Sequence, residues 1–97
     1  MSRYRISVDA QEDMDGILEY TVTAWGWRQS VQYLSKLEDC FDLLAHSPSI
    51  GRSCDSIRAG LRRFEIGRHV VLYVSDSDGV LVLRVLYQRV MPDNYFR

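Results

Sequence analysis

The sequence predicts an α+β fold in which an antiparallel helical hairpin packs on one face of a small, mainly antiparallel sheet. An alternating apolar pattern opens the chain, apolar residues recur at helical spacing over residues 10–47, and three β-like runs fill residues 61–87. Helices that are segregated from most of the strands are typical of the α+β class. The 97 residues suffice for a single domain, residues 1–97, with the element order β-α-α-β-β-β.

The first strand and the first helix are predicted at the start of the chain. Apolar and polar residues alternate over residues 3–8, which is the period of a half-buried strand. Asp9 is expected to cap the next helix, and Glu12 completes a capping-box arrangement. The helix is predicted over residues 10–25, because apolar side chains recur there on one helical face. Gly26 suits the left-handed position just past its end.

The second helix is predicted over residues 28–47, where a further apolar stripe ends at Pro48. The short link at Gly26 makes the two helices an antiparallel hairpin. Residues 48–60 show no period, and we expect them to form an ordered loop.

Three β-like runs follow, and they span residues 61–66, 69–74 and 80–87. The dipeptide Gly67-Arg68 between the first two runs suits a type II′ hairpin turn. Residues 75–79 are predicted to form a longer hairpin loop, and residues 88–97 a polar and aromatic tail.

Arg84 interrupts the most apolar of these runs. A period of two places Val80, Val82, Arg84 and Leu86 on one face of the strand. The opposite face is fully apolar, so we expect it to lie against the helices and Arg84 to lie on the other side. A charge in an apolar strand is costly unless it is paired or hydrated. Arg84 is therefore either part of a binding surface or paired with Glu65 or another nearby acidic side chain.

Composition excludes several classes of protein. Hydrophobic residues make up 46% and charged residues 26%, as in ordinary globular proteins and unlike disordered or collagen-like chains. No apolar run is long enough for a membrane helix, and no secretory signal is expected, so we predict a cytoplasmic protein. Cys40 is expected in the core and Cys54 in a loop, both as free thiols, and no zinc-like spacing is present.

Charge is distributed unevenly along the chain. Residues 1–47 carry four basic and eight acidic residues, a formal charge of −4, whereas residues 48–97 carry eight basic and five acidic residues, a formal charge of +3. Eleven of the twelve basic residues are Arg, which forms bidentate pairs with carboxylates and phosphates. The asymmetry predicts a binding face in the second half, although Arg usage by itself also follows from a GC-rich genome.

Motifs for hydrolysis or phosphate binding are absent from the sequence. Neither His46 nor His69 lies beside a nucleophile elbow, and we interpret both as structural or surface residues. The glycines form neither a Walker nor a dinucleotide-binding motif. The acidic residues of the first helix are expected to form a solvated face that matches the helix dipole; they are Asp9, Glu12, Asp13 and Asp15.

The joint order of several short motifs resembles the ParE-type toxins of the RelE/ParE superfamily. The motifs are Ala24-Trp25-Gly26, Tyr33-Leu34, Leu37-Glu38 and residues 47–52, 57–63, 67–73 and 84–89. The resemblance covers the chain from residue 4 to about residue 93. The element order predicted from periodicity is also the order that such toxins have.

The resemblance implies the toxin of a type II toxin–antitoxin pair without a cofactor. ParE-type toxins inhibit DNA gyrase and block replication, whereas RelE-type relatives cleave mRNA on the ribosome. A small antitoxin, often with a ribbon-helix-helix end and an acidic tail, neutralises the toxin, so that DNA is contacted only through the antitoxin. Because no residue here is an obvious base with a pKa near 7, the gyrase inhibitor is preferred over the ribonuclease.

Two groups of candidate site residues follow. The target-binding candidates are basic, aromatic or amide side chains: Arg52, Arg58, Arg62, Arg63, Arg68, Tyr73, Arg84, Tyr87, Gln88 and Arg89. The antitoxin-binding candidates are Trp25, Trp27, Tyr33, Arg62 and Arg84, since Trp, Tyr and Arg dominate protein interfaces. Trp25 also suits the hairpin core. No catalytic and no metal-binding residue is predicted.

The sequence departs from the family pattern at two positions. Tyr87 replaces a frequent His, and Val74 follows Tyr73 where the family often has Arg. These departures leave an inactive toxin that serves only as a protein-binding module as one alternative to the gyrase inhibitor. The retained Arg and Tyr residues leave a RelE-type ribonuclease as another.

Overall fold

The computed structural model describes residues 3–89 and confirms the predicted α+β architecture. The helices are α1 (Val8–Trp25) and α2 (Trp27–His46), followed by a 3-10 turn at Pro48–Ile50. The strands are β1 (Tyr4–Ile6), β2 (Arg52–Ser53), β3 (Arg62–Ile66), β4 (His69–Asp76) and β5 (Gly79–Tyr87). They form one mixed sheet in the order β1-β5-β4-β3-β2, in which β1 is parallel to β5 and the other pairs are antiparallel.

The predicted cap of α1 is wrong, because Ser7 and not Asp9 caps this helix. The Ser7 hydroxyl accepts a hydrogen bond from the backbone N–H of Ala10 at 3.0 Å and donates one to the carbonyl of Leu83 at 2.8 Å. The cap therefore also fastens the helix start to β5. Helix α1 consequently begins at Val8, two residues before the predicted start.

The helical hairpin is confirmed, and its link is a single residue. Gly26 has φ +89°, a conformation that L side chains rarely adopt, so glycine is required at this position. The hydroxyls of Thr21 and Ser30 lie 2.6 Å apart and join the two buried helix surfaces. Helix α2 begins and ends one residue before its predicted bounds.

The helices pack against one sheet face around a continuous apolar core. The buried side chains of the helices are Ala10, Met14, Ile17, Leu37, Cys40, Phe41 and Leu44, and those of the strands are Val71, Tyr73, Val80, Val82 and Val85. Burial raises the pKa of the Cys40 thiol to about 11, so this side chain behaves as a small apolar group.

The two hairpin turns differ in how well the sequence predicts them. Ile66 pairs with His69 across Gly67-Arg68, and Gly67 has φ +57° while Arg68 does not have a positive φ, as a type II′ turn requires. The second turn is tighter than predicted. Asp76 pairs with Gly79, so β4 extends two residues further and only two residues form the turn.

A β-bulge overturns the predicted faces of β5. Leu72 pairs with Arg84, but Tyr73 pairs with Val82, so Leu83 is skipped in the register. The bulge shifts the in-and-out alternation of the β5 side chains by one residue. Side chains that precede the bulge and side chains that follow it therefore point to the helices although they are an odd number of residues apart. Val80, Val82 and Val85 all belong to the core beneath the helices, whereas the prediction placed the first two on the opposite face.

The second face of the sheet carries a smaller core of its own. Leu61 and Cys54, from the segment before β3, pack against Val70, Leu72 and Leu86 on the outer face of the sheet and bury them. The predicted loop over residues 48–60 thus contains the 3-10 turn and β2, which pairs with β3. Both cysteines are free and buried, and the core position of Cys40 is as predicted.

Candidate partner-binding groove

A groove of about 420 Å³ opens between α1 and the second half of β5. Strand β1 pairs only with residues 80–82 of β5, so the remaining part of β5 is paired with β4 on one edge and lies beside α1 with its other edge unpaired by a strand. Glu12, Gly16 and Tyr20, one helical turn apart, line the groove on α1, while Val85 and Tyr87 line it on β5. The groove is therefore mainly apolar and bordered by one edge of β5.

The ion pair of Arg84 and Asp13 forms part of this groove. The Arg84 Nε–Asp13 Oδ2 and Arg84 Nη2–Asp13 Oδ1 distances are both 2.8 Å, and the Val85 N–H donates to Asp13 Oδ2 at 2.9 Å. The Arg84 and Asp13 side chains are 19% and 14% exposed. Arg84 is thus paired with an acidic residue, as one interpretation expected, but the partner is on α1 and is not Glu65. The prediction that Asp13 belongs to a solvated acidic face is wrong.

A cluster of rings closes the other end of the groove. Tyr33 Oη lies 2.6 Å from His69 Nδ1 and accepts the backbone N–H of Arg68 at 3.1 Å. Because that oxygen already accepts one hydrogen bond, its own proton is available for His69 Nδ1, which favours the neutral imidazole with its proton on Nε2. Burial lowers the pKa of His69, the nearby Arg68 charge lowers this pKa further, and the charge of Asp13 opposes both effects.

Trp25 and Arg68 line the groove at the end formed by the ring cluster. The Trp25 ring packs edge-on against Tyr33 with a centroid distance of 5.6 Å, and the guanidinium carbon of Arg68 lies 5.3 Å from the Trp25 ring centroid. Tyr87 packs against His69 with a centroid distance of 5.9 Å and keeps 44% of its surface exposed. Trp25 therefore serves the hairpin core and also lines the groove.

Trp27 lies at a different place from Trp25. It is 66% exposed, and with Val31 and Leu34 it lines a second depression between α1 and α2. The candidate antitoxin-binding residues are thus not brought together on one surface. Trp25 and Arg84 line the groove beside β5, and Tyr33 packs against Trp25 and His69. Trp27 and Arg62 lie elsewhere.

The candidate basic residues fall into two groups. Arg52 and Arg63 both pair with Glu65, the latter at 3.2 Å, and Arg62 donates to the carbonyl of Gly51 at 2.7 Å. Arg58 is exposed in the segment between β2 and β3. These four residues belong to the β2–β3 side of the sheet.

The second group surrounds the turn at Gly67. Arg68 and Arg89 line a polar notch there together with Tyr87. Gln88 donates from its side chain to the carbonyl of Gly67 at 2.8 Å and from its backbone to that of Arg68 at 3.0 Å, so it holds the end of β5 to the turn. Since the groove and the notch share Arg68 and Tyr87, the groove runs into a cationic end.

Tyr73, a target-binding candidate, lies inside the fold. Its side chain is fully buried, its hydroxyl donates to the carbonyl of Pro48 at 2.7 Å, and it accepts the backbone N–H of Gly51 at 2.9 Å. Burial raises the pKa of the Tyr73 hydroxyl. The period-two alternation of β4 cannot show that the Tyr73 hydroxyl is anchored in this way, because the anchoring carbonyl of Pro48 comes from a segment with no periodic pattern.

Residues 3–89 contain neither a helix suited to cross a membrane nor a cluster of metal ligands. Neither α1 nor α2 combines the length and the apolar character needed to cross a bilayer. Within the same residues, no three His, Cys, Asp or Glu side chains are placed to hold a metal ion.

Comparison with known proteins supplies the family. The model of the ParE toxin of the type II toxin–antitoxin system parDE matches residues 4–92. Toxin ParE1 of Mycobacterium tuberculosis is 41% identical over 93 residues, 95% of either chain, and Toxin ParE1 of Caulobacter vibrioides is 36% identical over 88 residues, 91% of either chain. A solved structure of the chromosomal ParDE system from P. aeruginosa shares the fold with a TM-score of 0.75, over 90% of this chain and 96% of that one, at 17% identity. The resemblance seen in the motifs is confirmed, and the chain belongs to the ParE toxin family of type II toxin–antitoxin systems.

Proposed function

We propose that this toxin acts in the cytoplasm by inhibiting DNA gyrase and so blocking replication, without catalysing a reaction of its own. The proposal rests on the hydrogen bonds that its polar aromatic side chains make within the fold. Tyr33 and His69 hydrogen bond to each other, and Tyr73 is bound to backbone groups of Pro48 and Gly51. A ribonuclease needs a free base beside a phosphate-binding cation. Among residues 3–89, Tyr33, His69 and Tyr73 are thus used to hold the fold, whereas Tyr87 stays exposed beside Arg68 and Arg89.

We further propose that a ParD-type antitoxin neutralises the toxin by occupying the groove between α1 and β5. The solved relative is a ParDE toxin–antitoxin system, which supports such a partner. The groove offers apolar side chains along its length and the cation of Arg68 at one end. An acidic amphipathic segment complements both features, and DNA is contacted through the antitoxin.

A gyrase cleavage assay tests the proposal. Purified toxin is incubated with gyrase, ATP and supercoiled plasmid, and we expect linear DNA after detergent and protease treatment, suppressed by the cognate antitoxin. Arg58→Glu reverses an exposed candidate charge and is expected to reduce the linear product. Lys36→Glu makes the same charge change at an exposed α2 position that is not a target-binding candidate, and is the matched control.

If no linear DNA forms although the protein still binds antitoxin, the gyrase proposal is overturned. Ribosome-dependent mRNA cleavage by the same preparation then indicates the RelE-type alternative. Inactivity in both assays indicates a toxin that has become a protein-binding module.

A further inference from the structure

Gly16 lies in the middle of α1, where glycine is unfavourable. A glycine in a helix interior costs about 0.5–1 kcal/mol relative to alanine, because it loses more backbone entropy on folding. Such a residue persists when close packing or a positive φ requires it. Gly16 meets neither condition: it has no positive φ, and a Cβ built there meets no atom of the described chain within 4 Å, its own helix backbone aside.

The other five glycines, all within residues 3–89, have visible reasons. Gly26 and Gly60 have φ of +89° and +79°. At Gly51, Gly67 and Gly79 a Cβ would be less than 3.0 Å from Tyr73, Tyr33 and Arg3 respectively, so a side chain does not fit. Gly16 is the exception, and the folded chain by itself does not explain its small size.

The position of Gly16 suggests an explanation outside the chain. It lies on the groove wall one turn from Glu12 and one turn from Tyr20, across the groove from the part of β5 that β1 does not pair with. Without a side chain, the backbone of α1 is open to the groove at this point. A partner segment can therefore approach the helix more closely here than beside any larger residue.

We infer that Gly16 is the point of closest contact between this toxin and the antitoxin segment that occupies the groove, an inference that rests on the proposed function. The charges of the groove also set the direction of that segment. Asp13 is balanced by Arg84, so Glu12 leaves a negative charge at one end, while Arg68 supplies a positive charge at the other. The segment that fits carries a cationic side chain near Glu12, apolar side chains across Gly16, and a carboxylate near Arg68.

The length of the groove bounds this segment. Glu12 and Trp25, the α1 residues at its two ends, are separated by about 20 Å along the helix axis, given the rise of 1.5 Å per residue. An extended peptide spans this distance with about six residues. We therefore expect opposite charges spaced by roughly this distance in the antitoxin, with apolar residues between them.

The experiment compares variants that add a side chain inside and outside the groove. Gly16→Ala and Gly16→Leu fill the open backbone, whereas Ala24→Leu adds bulk at an exposed α1 position that lines none of the described grooves. Binding of purified cognate antitoxin and the melting temperature of free toxin are measured for each. We expect Gly16→Leu to weaken binding at least tenfold and Gly16→Ala about threefold, while Ala24→Leu binds like wild type.

The melting temperature separates a docking role from a structural one. Gly16→Ala is expected to raise it, because alanine is the better helix former and its methyl group meets no neighbour. If Gly16 were needed only for the fold, its replacement would not give a toxin that is more stable and yet binds antitoxin more weakly. Wild-type binding by both Gly16 variants overturns the inference and leaves the proposed antitoxin partner intact. Failure of wild-type toxin to bind antitoxin overturns the proposed partner and, with it, this inference.

Discussion

Arg84 and Asp13 lie 71 residues apart in the sequence and form a two-pronged ion pair with both N–O distances at 2.8 Å. Asp13 also accepts the backbone N–H of Val85, so a single carboxylate satisfies three donors of β5. The pair lies where β1 has ended and α1 runs beside the strand. It therefore fastens the first helix to the sheet and leaves the groove beside it open.

We expect Asp13→Ala to destabilise the toxin by about 2–3 kcal/mol, because it removes the acceptor of three hydrogen bonds at a site that is mostly buried. Urea denaturation followed by circular dichroism measures the change. Asp15→Ala, an exposed carboxylate two residues further along α1, is the control and should lose less than about 0.5 kcal/mol. Equal losses for the two variants would show that the ion pair does not stabilise the fold.

Tyr73→Phe is expected to lower the free energy of unfolding by about 1–2 kcal/mol, since Pro48 and Gly51 lose a buried hydrogen-bond partner. The refolded variant should inhibit its target like wild type, because the Tyr73 side chain is fully buried. Tyr20→Phe, which removes the hydroxyl of a 68% exposed ring, is the matched control and should not change stability. Reduced inhibition by folded Tyr73→Phe would contradict the structural role.

Stability should decrease as the pH falls below about 6.5. The folded-state pKa of His69 is lowered by burial and by Arg68, so the unfolded chain binds this proton more tightly. The stabilisation from neutral His69 is fully present above its unfolded pKa of about 6.5 and is lost as the pH falls through the lower folded value. Urea denaturation between pH 8 and pH 5 measures this dependence.

His69→Gln provides the control for the pH dependence. Glutamine keeps a hydrogen-bonding group near Tyr33 but does not titrate, so stability should change less between pH 8 and pH 5. The lowered carboxylate pKa values of Asp55 and Asp76 act in the same direction at more acidic pH, outside this window. An unchanged slope in His69→Gln would assign the dependence to other groups.

Arg68→Gln should weaken antitoxin binding roughly tenfold and reduce its dependence on salt, because the cation at the groove end is removed. Arg52→Gln removes an exposed charge on the β2–β3 side and should have little effect on antitoxin binding. Isothermal titration calorimetry at two salt concentrations measures both variants. A larger loss with Arg52→Gln would place the antitoxin on the other side of the sheet.

Local patterns in the sequence predicted most of the elements. Helical periodicity located α1 and α2 to within two residues, and Gly67-Arg68 identified a turn whose φ angles match. The predictions failed where a distant contact decides the local structure. Ser7 is preferred over Asp9 as the cap of α1 because its hydroxyl also donates to the carbonyl of Leu83 on β5.

The candidate site shows the same division. The sequence identified the types of residue, aromatic and arginine, that line the groove, but it did not identify Asp13 or Gly16 as part of it. Asp13 resembles any acidic residue near the start of a helix, and its role depends on a strand 71 residues away. No local signal distinguishes it from Asp15.

The sequence by itself determined the fold class, the family and the order of the helices and the four longer strands, because hydrophobic periodicity and short turn motifs act over a few residues, whereas the two-residue strand β2 was not predicted. The tertiary structure decided which arginine is paired, which tyrosine is buried and where the groove lies. Those outcomes depend on the bulge at Leu83, on the early end of β1 and on the packing of α1 beside β5. Each arises from contacts between segments that are far apart in the chain, which no local pattern encodes.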